Sequence, residues 1–107
     1  METIKFTFEE FEIRCKEITK EILQNKEIEN IFGIPRGGLV PAVRISHLTG
    51  LPLTIEPHPN VTAIIDDCID TGSTLSEFSG YEHYFVLVNK QKEKIDKWID
   101  FFWEEKE

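Results

Sequence analysis

Two short segments of the chain carry residues able to handle a phosphorylated ligand. The first holds Asp66, Asp67 and Asp70, followed by Thr71, Gly72, Ser73 and Thr74, directly after the apolar run Ala63, Ile64 and Ile65. Vicinal carboxylates after a buried strand can hold ribose hydroxyls, or a magnesium ion with its waters. Hydroxyls and free backbone N–H groups at a helix start can wrap a phosphate monoester. The acids and the hydroxyl run stand a few residues apart, roughly the span of a ribose phosphate. The plainer reading is a helix cap beside solvated acids. The coincidence of apolar strand, paired acids, third acid and hydroxyl–glycine turn argues against it. The second segment is Arg36, Gly37 and Gly38. Glycines let a backbone approach a ligand and turn its N–H groups toward it. Arg36 adds a planar cation matched to phosphate oxygens. By itself this segment also fits a plain strand-to-helix turn.

The elements that must position these segments read as an alternating α/β chain. Phe8, Phe11, Cys15, Ile18 and Ile22 recur at helical spacing, so a helix is expected over residues 8–25. Thr7 with Glu10 forms a capping box at its start. Residues 28–34 read as a strand, and residues 39–48 as a helix with Pro41 in its first turn. Gly50 suits a left-handed helix end and Pro52 blocks continuation. A second strand is expected over 51–56, then a turn at Pro57, His58, Pro59 and Asn60. Residues 61–66 form an apolar strand of the kind buried on both faces, and residues 72–78 a short helix. Residues 83–89 are a further strand, and the tail from Gln91 is lysine-rich, then aromatic. This order predicts an α/β fold with a mostly parallel central sheet flanked by helices. Ligands of such sheets bind outside the carboxyl ends of the strands, where both segments fall.

Composition narrows the setting. With 107 residues and no repeat or linker, the chain is expected to be one domain spanning 1–107. The net charge of −8 repels nucleic acid and anionic membrane, so neither is an expected partner. No apolar run reaches the ~20 residues a bilayer span needs. The start lacks the plan of a signal peptide. Two cysteines are too few for a disulfide framework, which makes the reducing cytoplasm the expected location.

At residues 63–75 the sequence resembles the PRPP-binding signature of type I phosphoribosyltransferases. The pattern is apolar residues, Asp66 and Asp67, two residues, Asp70, Thr71, Gly72, Ser73 and Thr74. Arg36, Gly37 and Gly38, followed by Leu39, Val40, Pro41 and Ala42, resemble the family's pyrophosphate loop, specifically that of bacterial xanthine-guanine phosphoribosyltransferases. Residues 85–90 resemble the strand ending in a purine-contacting lysine, and Trp98 with Ile99 the segment that closes over the base. The resemblance covers about residues 28–103.

The resemblance implies a transfer of phosphoribose from PRPP to a 6-oxopurine, with Mg²⁺ as cofactor and pyrophosphate as co-product. It implies that Asp66 and Asp67 bind ribose hydroxyls and organise the metal, and that Asp70 assists proton transfer at the purine. Thr71, Gly72, Ser73 and Thr74 would hold the 5-phosphate of PRPP, and Arg36 and Gly37 the pyrophosphate. Lys90, Trp98 and Ile99 would contact the purine. A homo-oligomer, dimer or tetramer, is also implied.

One departure carries a second reading. The family has a long mobile loop before the PRPP strand, where this chain has only residues 57–60 with two prolines. A lid that excludes water contributes to catalysis. The alternative is therefore a non-catalytic PRPP- or nucleotide-binding module, a sensor or regulator. A third reading, a flavodoxin-like domain with paired acids for phosphotransfer, fits the hydroxyl run poorly. His47, His58 and His83 lack metal-ligand spacing and read as structural or surface residues. Cys15 belongs to a helix stripe and Cys68 reads as a small buried filler. Lys92, Lys94 and Lys97 read as a solvated edge. Trp98 is evenly divided between base stacking and core packing, and Trp103 reads as core or subunit contact.

Overall fold

The computed structural model describes residues 3–69 and 73–103. The chain opens with β1 (Thr3–Phe6), α1 (Phe8–Gln24) and β2 (Asn30–Gly33). It continues through α2 (Leu39–Thr49), β3 (Thr62–Ile69) and α3 (Ser73–Glu77). It closes with β4 (Tyr84–Asn89), α4 (Lys90–Glu93) and β5 (Trp98–Phe101).

Helix α1 begins where its cap predicts. The Thr7 hydroxyl accepts the Glu10 N–H at 3.2 Å, and Glu9 and Glu10 place negative charge at the positive helix end. The helix stops at Asn25, which turns extended. Its buried face is Phe11, Cys15, Ile18, Thr19 and Ile22. Phe8, expected on that face, is exposed and rests on the rings of Phe11 and Phe102. Helix α2 ends at Gly50, whose φ of 78° is left-handed as expected. Arg44 of α2 clamps Glu12 of α1 with two hydrogen bonds of 2.6 and 2.8 Å.

Strands β2, β3 and β4 form a parallel sheet in that order. Asn30 lies opposite Thr62, and Ile64 opposite Tyr84. Ile31, Ile45, Ala63 and Ile65 are completely buried between this sheet and the helices. The parallel α/β expectation holds, with three corrections.

First, residues 51–56 do not form a strand. Only Leu53 bridges to Ile31, held by Ile31 N–H to Pro52 O at 2.9 Å and Thr54 N–H to Ile31 O at 2.8 Å. Pro52 has no N–H to donate, and Ile55 is 91% exposed, so no buried face supports a longer ladder. Second, β3 runs past its expected end at residue 66 to Ile69, because Cys68 and Ile69 still pair with Val88 and Asn89. Cys68 is half-buried rather than buried. Third, β1 and β5, unassigned in the sequence, pair in parallel as a separate two-stranded sheet from Thr3 opposite Trp98 to Phe6 opposite Phe101. Its Phe6, Ile99 and Phe101 join the core, and the Trp103 ring stacks on Phe101 at 4.8 Å. Among the described residues no helix is long and apolar enough to cross a membrane.

Candidate functional site

The loop between β2 and α2 is fastened to the middle of β3. Ile34 N–H donates to Ile65 O at 2.9 Å, and Gly38 N–H donates back to Ile34 O at 2.8 Å. The Pro35–Arg36 peptide within it is cis. A Cβ on Gly38 would run into the Ile65 carbonyl oxygen, so the loop reaches β3 only without a side chain there. A Cβ on Gly37 would run into the Asp67 carboxylate. The two glycines of the first segment therefore bring the loop against Asp67 of the second. Arg36, at the loop's tip, is exposed and has no ion-pair partner among the described residues.

Because β3 continues through both acids, Asp66 and Asp67 point to opposite faces of the sheet. Asp67 is half-buried and meets Gly37. Asp66 is only 6% exposed. One of its carboxylate oxygens accepts the Asp67 N–H at 2.9 Å, and the other accepts the Tyr84 hydroxyl at 2.9 Å. Burial raises the Tyr84 phenol pKa, and the negative charge of Asp66 raises it further, so the hydroxyl stays protonated and donates. Tyr84 was not among the residues singled out in the sequence. The available signal was its place in the strand beside β3, opposite Ile64, which puts it on the Asp66 face.

The remaining expected residues fall as follows. Ser73 and Thr74 start α3, Ser73 exposed and Thr74 half-buried. Asp70, Thr71 and Gly72 lie outside the described residues. Lys90 follows β4 directly and is buried, unlike the exposed Lys92, Lys94 and Lys97. The Asn89 side chain caps this turn by accepting from Gln91 and Lys92 N–H, each at 3.1 Å. Trp98 is 56% exposed, which excludes plain core packing for it, whereas Ile99 is buried.

The turn at residues 57–60 is pinned at both ends. His58 N–H donates to the Thr62 hydroxyl at 2.8 Å, Glu82 N–H donates to Pro59 O at 3.0 Å, and Tyr81 reaches Pro57 O at 3.3 Å. His83 is buried beneath it, its ring nitrogens facing Asn25 at 3.4 Å and Asn60 O at 3.1 Å. Glu27 and Glu82 stand beside it, an acid–imidazole cluster that chain spacing does not reveal. Both ring nitrogens are already engaged, which supports a structural histidine.

No protein-family model matches the chain, and no curated protein is similar to it in sequence. Its fold is nonetheless found among solved structures. It superposes on a purine phosphoribosyltransferase from Pyrococcus horikoshii with a TM-score of 0.74 at 23% identity, over 100% of this chain and 97% of that one. It superposes on a hypothetical protein from Neisseria gonorrhoeae with bound ppGpp, with a TM-score of 0.71 at 12% identity, over 97% and 90%. It also superposes on a Helicobacter pylori xanthine-guanine-hypoxanthine phosphoribosyltransferase, with a TM-score of 0.70 at 19% identity, over 96% and 94%. The chain thus has the phosphoribosyltransferase fold, the α/β architecture with parallel sheet expected from its sequence.

Proposed function

We propose that this protein is a 6-oxopurine phosphoribosyltransferase that joins the base to PRPP, releasing a nucleoside monophosphate and pyrophosphate. The observation that supports the reading is the contact of Gly37 with the Asp67 carboxylate, where a glycine–arginine loop and an acid-bearing strand meet in this fold. Under this reading Arg36 and Gly37 hold the pyrophosphate, Asp66 and Asp67 the ribose hydroxyls, and Thr71, Gly72, Ser73 and Thr74 the 5-phosphate.

The reaction breaks the bond from ribose C1 to pyrophosphate and forms one from C1 to a purine nitrogen. Charge builds on the departing pyrophosphate, and the ribose becomes oxocarbenium-like. Arg36 meets the departing charge, and bound geometry brings base and C1 together. Asp70 takes up the proton that the purine nitrogen loses, and Lys90 meets the 6-oxo group, selecting which nitrogen attacks. The exposed ring of Trp98 stacks on the base, and the backbone at Trp98 and Ile99 reads its 2-position. Carboxylate oxygens are the preferred donors of a magnesium ion, so Asp67, half-buried beside Gly37, is the group suited to one. Asp67 would hold it, since Asp66 faces the other side of the sheet, and the ion would supply positive charge to the pyrophosphate.

The same proposal places the protein in the cytoplasm, without nucleic-acid or membrane partners. It also makes the protein a homo-oligomer, dimer or tetramer. The exposed apolar residues Phe8, Leu39, Val40, Val43 and Phe102 support self-association.

A second reading is a binding module for PRPP or a nucleotide. The short, pinned turn at residues 57–60 favours it, as does the Neisseria gonorrhoeae structure with bound ppGpp. The deciding experiment incubates the protein with guanine, xanthine and hypoxanthine, each with PRPP and Mg²⁺, and measures nucleotide formed. PRPP and ppGpp binding are measured in parallel by calorimetry. Turnover supports the enzyme. Binding without turnover on any base leaves the module, and absence of both overturns both readings.

A further inference from the structure

Asp66 is not free to choose its orientation. Both of its oxygens are occupied from within the fold, one by the neighbouring Asp67 N–H and the other by the Tyr84 hydroxyl, each at 2.9 Å. The first bond comes from its own strand. The second crosses to β4 and depends on where the Tyr84 ring is held. That ring packs against Phe78, just beyond α3, with centroids 6.4 Å apart. Phe78 in turn packs on Phe32 of β2 at 6.2 Å and on Tyr81 at 5.2 Å. Residues from β2, β4 and the segment after α3 thereby set the direction of one hydroxyl, and the hydroxyl sets the carboxylate. Asp67, on the opposite face, lies against the loop at Gly37.

We infer that Tyr84 is a positioning residue for the PRPP site, presetting the Asp66 carboxylate for the ribose hydroxyls through its hydrogen bond. The inference rests on the reading of this site as a PRPP site. A carboxylate held by two donors keeps lone pairs for a ligand and loses little freedom when the ligand arrives. The ring of Phe at this position keeps the aromatic packing and removes only the donor.

The test is a double-mutant cycle on PRPP binding in the presence of Mg²⁺, read by calorimetry, with thermal unfolding of each variant alongside. Tyr84→Phe is expected to weaken PRPP about ten-fold, the size of a hydrogen bond to a charged group. In an Asp66→Ala background, or in Asp66→Val if the alanine variant does not fold, the same change is expected to cost little further affinity. A merely structural tyrosine lowers the unfolding temperature and shifts affinity equally in both backgrounds, which would overturn the inference. Unchanged affinity in Tyr84→Phe, or in the Asp66 variant itself, would overturn it as well. A wild-type protein that does not bind PRPP brings down the site reading and this inference with it. That outcome is told apart from the others by the wild-type isotherm alone.

Discussion

Gly37 lies so close to Asp67 that a methyl group at Gly37 would overlap the Asp67 carboxylate. Two residues far apart in sequence are thus in contact through the absence of a side chain. Gly37→Ala must push the carboxylate or the loop aside, at a cost of about 1–3 kcal/mol. The expected outcome is a folded protein whose PRPP affinity falls more than its stability, checked by calorimetry and thermal unfolding. Wild-type affinity in this variant would show that the loop and acid do not share a ligand.

Arg36 is exposed and unpaired among the described residues, so the fold does not depend on it. Arg36→Ala is expected to leave stability within about 0.5 kcal/mol of wild type. Binding of inorganic pyrophosphate, followed by calorimetry, is expected to fall about ten-fold or more, since hydrogen bonds to charged groups are the strong ones. An unaffected pyrophosphate isotherm would remove Arg36 from the site.

Arg14 ties α1 to the end of β4. It donates to Glu10 at 2.8 Å, to the Leu87 carbonyl at 2.8 Å and to Glu93 at 3.0 Å. The hydrogen bond from Arg14 holds the Glu93 carboxyl below its ordinary value of 4.5, against an opposing effect of burial. A depressed acid adds stability that is present above the unfolded pKa and is lost as pH falls through the folded one. Glu93→Gln is therefore expected to cost ~0.5–1 kcal/mol at neutral pH, as partly exposed pairs do. Denaturant titrations from pH 7 downward should show the gap closing below about pH 4.5. A gap that persists in acid would mean that packing, not charge, sets the difference.

Cys15 is completely buried, and burial pushes its thiol pKa from 9.0 up to about 12. A raised pKa means that its contribution is full below about 9 and declines as pH rises toward 12. Thermal unfolding of wild type is expected to fall off more steeply than that of Cys15→Ala above pH 9, a difference in which other groups cancel. In native protein at neutral pH, a thiol reagent should modify the half-buried Cys68 first and reach Cys15 only on unfolding. Equal rates at the two cysteines would contradict the burial.

Much of this protein follows from short-range signals. The Thr7 cap, the apolar stripe of α1, the left-handed Gly50 and the strand–helix alternation each act over a few residues. They were legible before any tertiary contact was known. So were the two glycine- and acid-bearing segments, because their residue types carry their chemistry wherever the chain places them. Other features were decided only when distant segments met. Residues 51–56 have strand-like composition, yet one bridge is all that Pro52 and the solvated Ile55 sustain. Residues 3–6 and 98–101 are rich in strand-favouring Thr, Ile, Phe and Trp but only four residues long, and they become strands by pairing with each other. Asp66 and Asp67 read as an equivalent pair, but the continuation of β3 turns one toward Tyr84 and the other toward Gly37. Local propensity sets which elements form, since it needs only neighbours. Strand extent, register and the partner of each buried carboxylate depend on contacts between chain segments many residues apart, and those exist only in the folded protein.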